Sequence, residues 1–388
     1  MNFRVYILAI STVIVGLVEL IVGGILPVIA KDLGVSIAAA GQLITIFAIV
    51  FAISGPVLLS VTARVERKRL YILSLIVFLL GNLFTYMSPN FSFVMISRVI
   101  TAMSAALITV LSLTITTRIV KREDRVKALG LIYMGISSAL VLGIPIGIIV
   151  TKFFNWRTIF LGIALLTIVA IILIQLFIQP LPARQTHSVK EQIKALGNKK
   201  LAGAHFTTIF ILAGHYTLYA YFAPFLEQRM QFTEYWISLT YFIFGLAAVS
   251  GGALGGIIAN KLGSVRTLFS FISLFFLTLL FVPHATFHPG VFFITVMVWG
   301  ILSWGHSPPT QDYLIEADPQ HSDIHQSINN SSIQVGIALG SALGGIALNK
   351  TDSFTMTASL GAIIISFAFI SFYVSASTGK RIKKLRTE

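Results

Sequence analysis

Apolar residues run along this chain for about twenty positions at a time, then give way to short polar or charged clusters. A run of that length can cross a hydrocarbon core of roughly 30 Å as a helix. Twelve such runs can be drawn, at 5–28, 41–63, 70–88, 92–117, 128–150, 157–178, 201–225, 236–259, 265–283, 290–313, 325–348 and 355–377. The pattern predicts an all-α membrane protein with twelve transmembrane helices. The first run exceeds a signal-peptide core and lacks a small-residue cleavage site, so it is expected to remain as a helix.

The longest polar break, "QPLPARQTHSVKEQIKALGNKK" at 179–200, falls between the sixth and seventh runs. It is expected to be a cytoplasmic linker, with Val189, Ile193 and Leu196 on one helical face that can lie along the membrane surface. It separates an N-terminal bundle, 1–178, from a C-terminal bundle with a basic tail, 201–388. The halves echo each other at an offset of 197 residues: "LGIPIG" at 142–147 meets "LGSALG" at 339–344, and 63–67 meets 260–264. Six spans repeated in parallel about an axis normal to the membrane is a transporter architecture.

Composition narrows the picture. Only 11% of residues are charged and 56% are hydrophobic, against about 25% charged in soluble domains. The net charge of +14 could suggest nucleic acid, but its distribution fits topology better. With a cytoplasmic N-terminus, 22 Lys and Arg fall on that side, five on the other, and Arg98 alone inside a span. That bias places both termini in the cytoplasm of a cell-membrane protein. The chain has no cysteine, which excludes disulfides and thiolate chemistry, and no His, Asp and Glu cluster has metal-ligand spacing. No metal, cofactor or nucleic-acid partner is expected.

Particular stretches carry a resemblance. "VGLVELIVGGILPVIAKDLGVSIAAAGQL", "SRVITAMSAAL", "LVLGIPIG" and "NWRTIFLG" resemble the drug/proton antiporters with twelve spans in the major facilitator superfamily. "ERKRLYILSL", "AGHYTLYAYFAPFLE", "WGILSWGHSP" and "SSIQVGIALGSALGG" resemble the bacterial purine base and nucleoside efflux pumps of that family. The resemblance implies the major facilitator fold, two pseudo-symmetric six-helix bundles, and gating motifs at Arg64, Arg67 and Lys68, at Gly143 and Pro145, and at Asn260, Lys261 and Gly263. Ala102, Ala63 and Glu66 depart from its usual Gly, Asp and Gly.

Ionisable and polar residues inside spans mark the candidate chemistry. Glu19 stands in the middle of the first run, and a mid-membrane carboxylate costs several kcal/mol unless protonated, paired or wetted. It shares a stripe with Thr12, Gly16 and Gly23 that is expected to face the bundle interior, and is a candidate proton carrier. Packing as a protonated acid is the bland alternative. Arg98 lies at a similar depth and is its expected partner, or else a structural Arg bonded to backbone carbonyls. The 197-residue offset sets Tyr216 opposite Glu19, with His215 and Tyr219 on the same helix. Trp299, Ser303 and His306 share a face of the tenth span, where Trp299 could stack on a flat ring or simply pack. In the eleventh span Asn330, Gln334 and Ser341 recur on one face and can pair with a nucleobase edge or hold helices together. His215, Tyr216, Tyr219, Trp299, His306, Asn330 and Gln334 are therefore the candidate substrate contacts. "GGALGG" at 251–256 looks like a phosphate loop but lies inside a span, where glycines serve close packing. Asp312, Glu316 and Asp318 are expected to be solvated or gate-forming.

The resulting expectation is a non-enzymatic, monomeric transporter driven by the proton gradient, exporting purine bases or nucleosides by alternating access. A multidrug or sugar exporter is the close rival. A membrane-embedded enzyme or a receptor is the remote one, since one mid-span acid is no catalytic set.

Overall fold

The computed structural model describes residues 3–121, 124–183, 191 and 194–385. Val189 and Ile193 of the expected amphipathic face lie outside the described residues. Among these residues, eleven helices are long and apolar enough to cross a membrane, and a bent pair makes a twelfth span. In the first half the helices are α1 (Phe3–Gly24), α2 (Leu26–Asp32), α3 (Ile37–Val61), α4 (Arg67–Tyr86), α5 (Phe91–Ile119), α6 (Arg125–Ser138), α7 (Ile144–Phe153) and α8 (Arg157–Phe177). The second half has α9 (Lys199–Tyr219), α10 (Phe222–Met230), α11 (Glu234–Leu262), α12 (Ser264–Phe281), α13 (Pro289–Gly305), α14 (Ser307–Ala317), α15 (Ser322–Thr351) and α16 (Phe354–Leu385).

Side-chain caps set several starts, as helix N-termini leave backbone N–H groups unsatisfied. Ser36 accepts from Ala39 N–H at 3.1 Å, and Asn90 from Phe93 N–H at 3.0 Å. Glu66 accepts from Lys68 and Arg69 N–H, both at 2.8 Å, and from Leu181 N–H at 2.6 Å. It therefore starts α4 and ties down the chain after α8. Prolines set the breaks. The seventh span, expected to be one rod, bends by 40° between α9 and α10, where Pro224 has no N–H to return to Ala220. Pro308 and Pro309 do the same between α13 and α14. A π-helical stretch, Ala139–Gly143, lies just before Pro145 and carries a bond from Ile144 N–H to Ala139 O.

The chain forms two compact units, residues 1–186 with 231–242, and 187–230 with 243–388. The first nine residues of α11 thus belong with the first half, through Tyr241 Oη donating to Gly23 O (3.4 Å) and Ser238 Oγ to Pro145 O (3.2 Å). The core of the first unit is aliphatic and aromatic, including Leu8, Val15, Phe47, Leu75, Phe78, Ile108, Ala128 and Ile163. Large apolar side chains such as Ile53, Val61, Leu165 and Leu176 are exposed, as expected where lipid is the solvent.

Small residues let helices touch backbone to backbone. In the first unit a Cβ on Gly16 would meet Ala139 Cβ at 2.9 Å and Ile136 O at 3.1 Å, joining α1 to α6 and the π stretch. In the second, Gly336, Gly340 and Gly344 of α15 press on α9, and Gly361 of α16 presses on it at Gly214 and Thr217. Gly251 and Gly255, within "GGALGG", lie against the backbone of Ile301 and Gly305. These glycines pack helices.

Candidate functional site

The polar centre of the first unit is built on α1, α3 and α5. Glu19 is half-buried on α1. Arg98 on α5 is 1% exposed, and its Nη1 donates to Val18 O at 2.8 Å, the carbonyl of the residue before Glu19. Its Nε donates to Leu43 O at 3.4 Å, and its guanidinium carbon sits 4.1 Å from the Phe47 ring centroid. The charge of Glu19 acts on this guanidinium. Arg98 is thus bonded to backbone carbonyls of α1 and α3, within electrostatic reach of Glu19. Arg donors in a fixed planar fork suit such a bridge between three helices. The stripe of Glu19 faces the interior of the unit, but Thr12 and Gly16 are consumed in packing. Thr12 Oγ1 donates to Ala9 O at 2.8 Å and Ile132 O at 3.1 Å.

The second unit gathers aromatic rings about His215. Trp299 Nε1 donates to His215 Nδ1 at 3.1 Å. The His215 ring lies 4.7 Å from Tyr219, 5.0 Å from Tyr216, 6.1 Å from Phe244 and 5.8 Å from Phe275. Trp299 and Phe244 are 0% exposed, so the cluster is closed, ring upon ring, and Trp299 has no free face for a guest in this state. Tyr216 is half-buried. His306, 5% exposed at the α13–α14 break, has no hydrogen-bond partner at either ring nitrogen. On α15, Gln334 is buried and Asn330 half-buried, while Ser341 Oγ donates back to Ile337 O at 2.8 Å.

The gating candidates divide by burial. Arg67 is 0% exposed and reaches Thr62 O and Ala63 O, both at 3.5 Å. Lys68 Nζ donates to Gln175 O at 2.9 Å, whereas Arg64 is exposed. Gly143 lies against Leu17. In the second half Asn260, Lys261 and Gly263 are exposed. Gly263 adopts φ +83°, a left-handed conformation that favours glycine, and it starts α12. Asp312 accepts from Ser264 Oγ on α12.

Three arrangements escaped the sequence reading. Asn329, next to the candidate Asn330, is the buried member of the pair and accepts from Thr208 Oγ1 at 2.9 Å. His205 on α9 pairs with His325 on α15, and His325 with Asp318. The step of four between His325 and Asn329 was the available signal, because it puts both on one helix face. Asp32 after α1 accepts from Trp156 Nε1 at 3.0 Å and pairs with Arg157 Nη1 at 2.5 Å. The Trp156 bond holds the Asp32 carboxyl below its ordinary range, desolvation opposes this, and Arg157 adds to the lowering.

Comparisons with known proteins agree with this architecture. The Major Facilitator Superfamily description matches residues 8–341. An uncharacterized MFS-type transporter of Bacillus subtilis, YbcL, is 31% identical, with 96% of each chain covered. The inner membrane transport protein YdhP of Escherichia coli K12 is 26% identical over 97% of this chain and 96% of its own. A Helicobacter pylori protein named "Probable sugar efflux transporter" is 28% identical over 89% and 88%. Among solved structures, a bacterial homologue of the human lysosomal transporter Spinster superposes with a TM-score of 0.72 at 16% identity, covering 98% of both chains. The match across residues 8–341, with a 31% identical relative spanning nearly the whole chain, establishes that this chain belongs to the Major Facilitator Superfamily.

Proposed function

We propose that this transporter is a proton-coupled antiporter of the drug/proton branch that exports purine bases or nucleosides from the cell. The observation that carries the coupling is Glu19, half-buried in an otherwise apolar spanning helix, beside the Arg98 guanidinium fixed on the neighbouring carbonyl at 2.8 Å. Such a carboxylate is too costly in a membrane to be idle. Its charge is stabilised when ionised and removed when protonated, so its proton occupancy can bias the packing of α1 against α3 and α5. The distribution of Lys and Arg supports cytoplasmic termini, and the family supports a small-molecule cargo moved through a lipid bilayer.

Cargo chemistry is supported by the second unit. Flat rings around His215 and a buried His306 with both nitrogens unengaged suit a planar, heteroatom-rich guest once the cluster opens. The name of the Helicobacter pylori relative favours a second reading, sugar efflux. Both are tested in proteoliposomes with radiolabelled hypoxanthine and glucose under an imposed pH gradient. Hypoxanthine movement that requires the gradient is expected; glucose movement alone would replace the purine reading. Glu19→Gln should abolish uphill export and spare exchange, since the amide imitates a permanently protonated acid. Uphill export at the wild-type rate in that variant would remove Glu19 from coupling.

A further inference from the structure

His205 is 2% exposed and His325 1% exposed, on α9 and α15 of the second unit. His205 Nε2 lies 3.3 Å from His325 Nδ1, and His325 Nε2 lies 3.4 Å from Asp318 Oδ2. A carboxylate only accepts, so the His325 proton sits on Nε2 and its Nδ1 accepts. His205 must then donate from Nε2, which leaves its Nδ1 bare. That atom is buried and has no hydrogen-bond partner. Exposure rises along the row: the Asp318 side chain is 28% exposed and that of His321, whose Nδ1 is 3.1 Å from the same carboxylate, 56%.

We propose that His205, His325 and Asp318 form a one-proton relay between the interior of the second unit and its polar end. A proton arriving at His205 Nδ1 lets the His205 Nε2–H proton pass to His325 Nδ1. The His325 Nε2–H proton then passes to Asp318 Oδ2, and Asp318 releases it to water. One proton enters and one leaves, both rings end protonated at Nδ1, and the reverse order, run from that state, carries a proton inward and restores Nε2–H on both. His321 anchors the carboxylate at the exposed end.

Two features distinguish a relay from a packing contact. At the offset of 197 residues the two histidines correspond to Leu8 and Ala128, both 0% exposed in the core of the first unit. The equivalent helix pair there closes with apolar side chains, which cost less to bury than imidazoles. The charged neighbours are also engaged elsewhere or face outward. Lys200 Nζ lies over the Tyr313 ring at 5.0 Å, Tyr313 Oη bonds Ser375 Oγ at 2.9 Å and Asp312 bonds Ser264. Lys199 on α9, Glu316 on α14 and Tyr373 on α16 are exposed, and the side chain of Asp323 lies outside the described ones. One turn further on, Thr208 bonds Asn329, so the next polar step inward is a hydroxyl.

The inference rests on the proton-coupled reading, and its test separates the two. His325→Gln keeps an acceptor towards His205 and a donor towards Asp318 but cannot hand on a proton. In proteoliposomes, hypoxanthine export driven by a pH gradient should fall about tenfold or more, while hypoxanthine counterflow is unchanged. Wild-type export that ignores the gradient would overturn the coupling reading and the relay with it. A wild type that responds, with His325→Gln equal to it, overturns the relay alone. Loss of counterflow as well as export would make the pair a structural tie. Independently, ¹⁵N-histidine spectra of the full-length protein should show both rings protonated at Nε2; a His325 ring protonated at Nδ1 would also overturn the relay.

Discussion

Gly340 offers a test of how closely the second unit is packed. A Cβ added there would press on Ala213 O, with Tyr216 Cβ at 2.9 Å and the Ala213 carbonyl carbon at 3.0 Å. None of these atoms can rotate away. Ordinary carbon-to-oxygen contacts begin near 3.3 Å, so Gly340→Ala must drive α15 from α9 by about 1 Å. Gly336 and Gly344 ride on the same helix, with Leu212 Cβ 2.7 Å and Thr217 Cα 2.9 Å from their would-be Cβ positions, so the whole seam opens together. A gap of roughly 0.5–1 Å forfeits a quarter to a half of each dispersion contact. Overpacking of this kind costs about 1–3 kcal/mol. Against it stands the gain of about 0.5–1 kcal/mol for replacing a helical glycine by alanine. The net expectation is a loss of about 1–2 kcal/mol.

Gly252 is the matched control. It is also a helical glycine, but nothing lies within 4 Å of its Cβ position, so only the propensity gain remains. In one fixed detergent, thermal unfolding should rank Gly252→Ala above wild type and Gly340→Ala below it. The opposite signs isolate contact from propensity, because the chemical change is the same methyl group. A Gly340→Ala protein as stable as Gly252→Ala would refute the backbone contact between α9 and α15.

Three further outcomes follow from the same geometry. Glu66→Ala removes the cap of α4 and the anchor of Leu181, and should lower stability by about 1–2 kcal/mol. Desolvation raises the Glu66 carboxyl, and bonds from the Leu181, Lys68 and Arg69 N–H groups outweigh it, leaving it below 4.5. The wild-type advantage should therefore be complete above pH 4.5 and be lost as the pH falls through the folded value. An advantage independent of pH in acid would deny the carboxylate its role. Asp32→Asn should likewise loosen the contact with Trp156 and Arg157, with a deficit in unfolding temperature that is full above the ordinary 3.8 and shrinks below it; a deficit that grows in acid would contradict the lowered carboxyl. Asn330→Ala and Gln334→Ala should each weaken hypoxanthine binding by about 1–2 kcal/mol, measured by equilibrium binding, and unchanged affinity in both would make the cluster packing glue.

What the sequence disclosed depended on whether a signal was local. Spans followed from unbroken apolar runs. Glu19 announced itself because nothing near it is ionisable. The partners of Arg98 were only half legible: its depth could be counted from the helix end, but Val18 O and Leu43 O are main-chain atoms that every residue carries. Glu66 was read as a departure from a loop motif, since its tie to Leu181 joins residues 115 positions apart. His205 and His325 are 120 apart, and no periodicity on one helix reveals which face of another it will meet. The bend in the seventh span was written in Pro224, but a proline gives the place of a break more readily than its angle.

The 197-residue echo explains why the two polar centres differ. Under it Arg98 corresponds to Thr295, which is 6% exposed and turns its hydroxyl onto Val291 O of its own helix at 2.8 Å. Glu19 corresponds to Tyr216. The second unit thus carries no counterpart of the acid and guanidinium, while the first carries no counterpart of His205 and His325. A repeated fold supplies equivalent positions, and burial supplies the same selection against charge at each. Polar groups kept at those depths in one half and absent from the other are not required by the fold, because the other half folds without them. On the proposed reading, the requirement comes from what crosses the membrane. An acid with a fixed guanidinium can hold or yield a charge, whereas a hydrogen-bonded row of imidazoles can hand a proton on. Under the two proposals the acid is a carrier and the histidine row a conduit, and the division of residue types between the halves follows those different tasks.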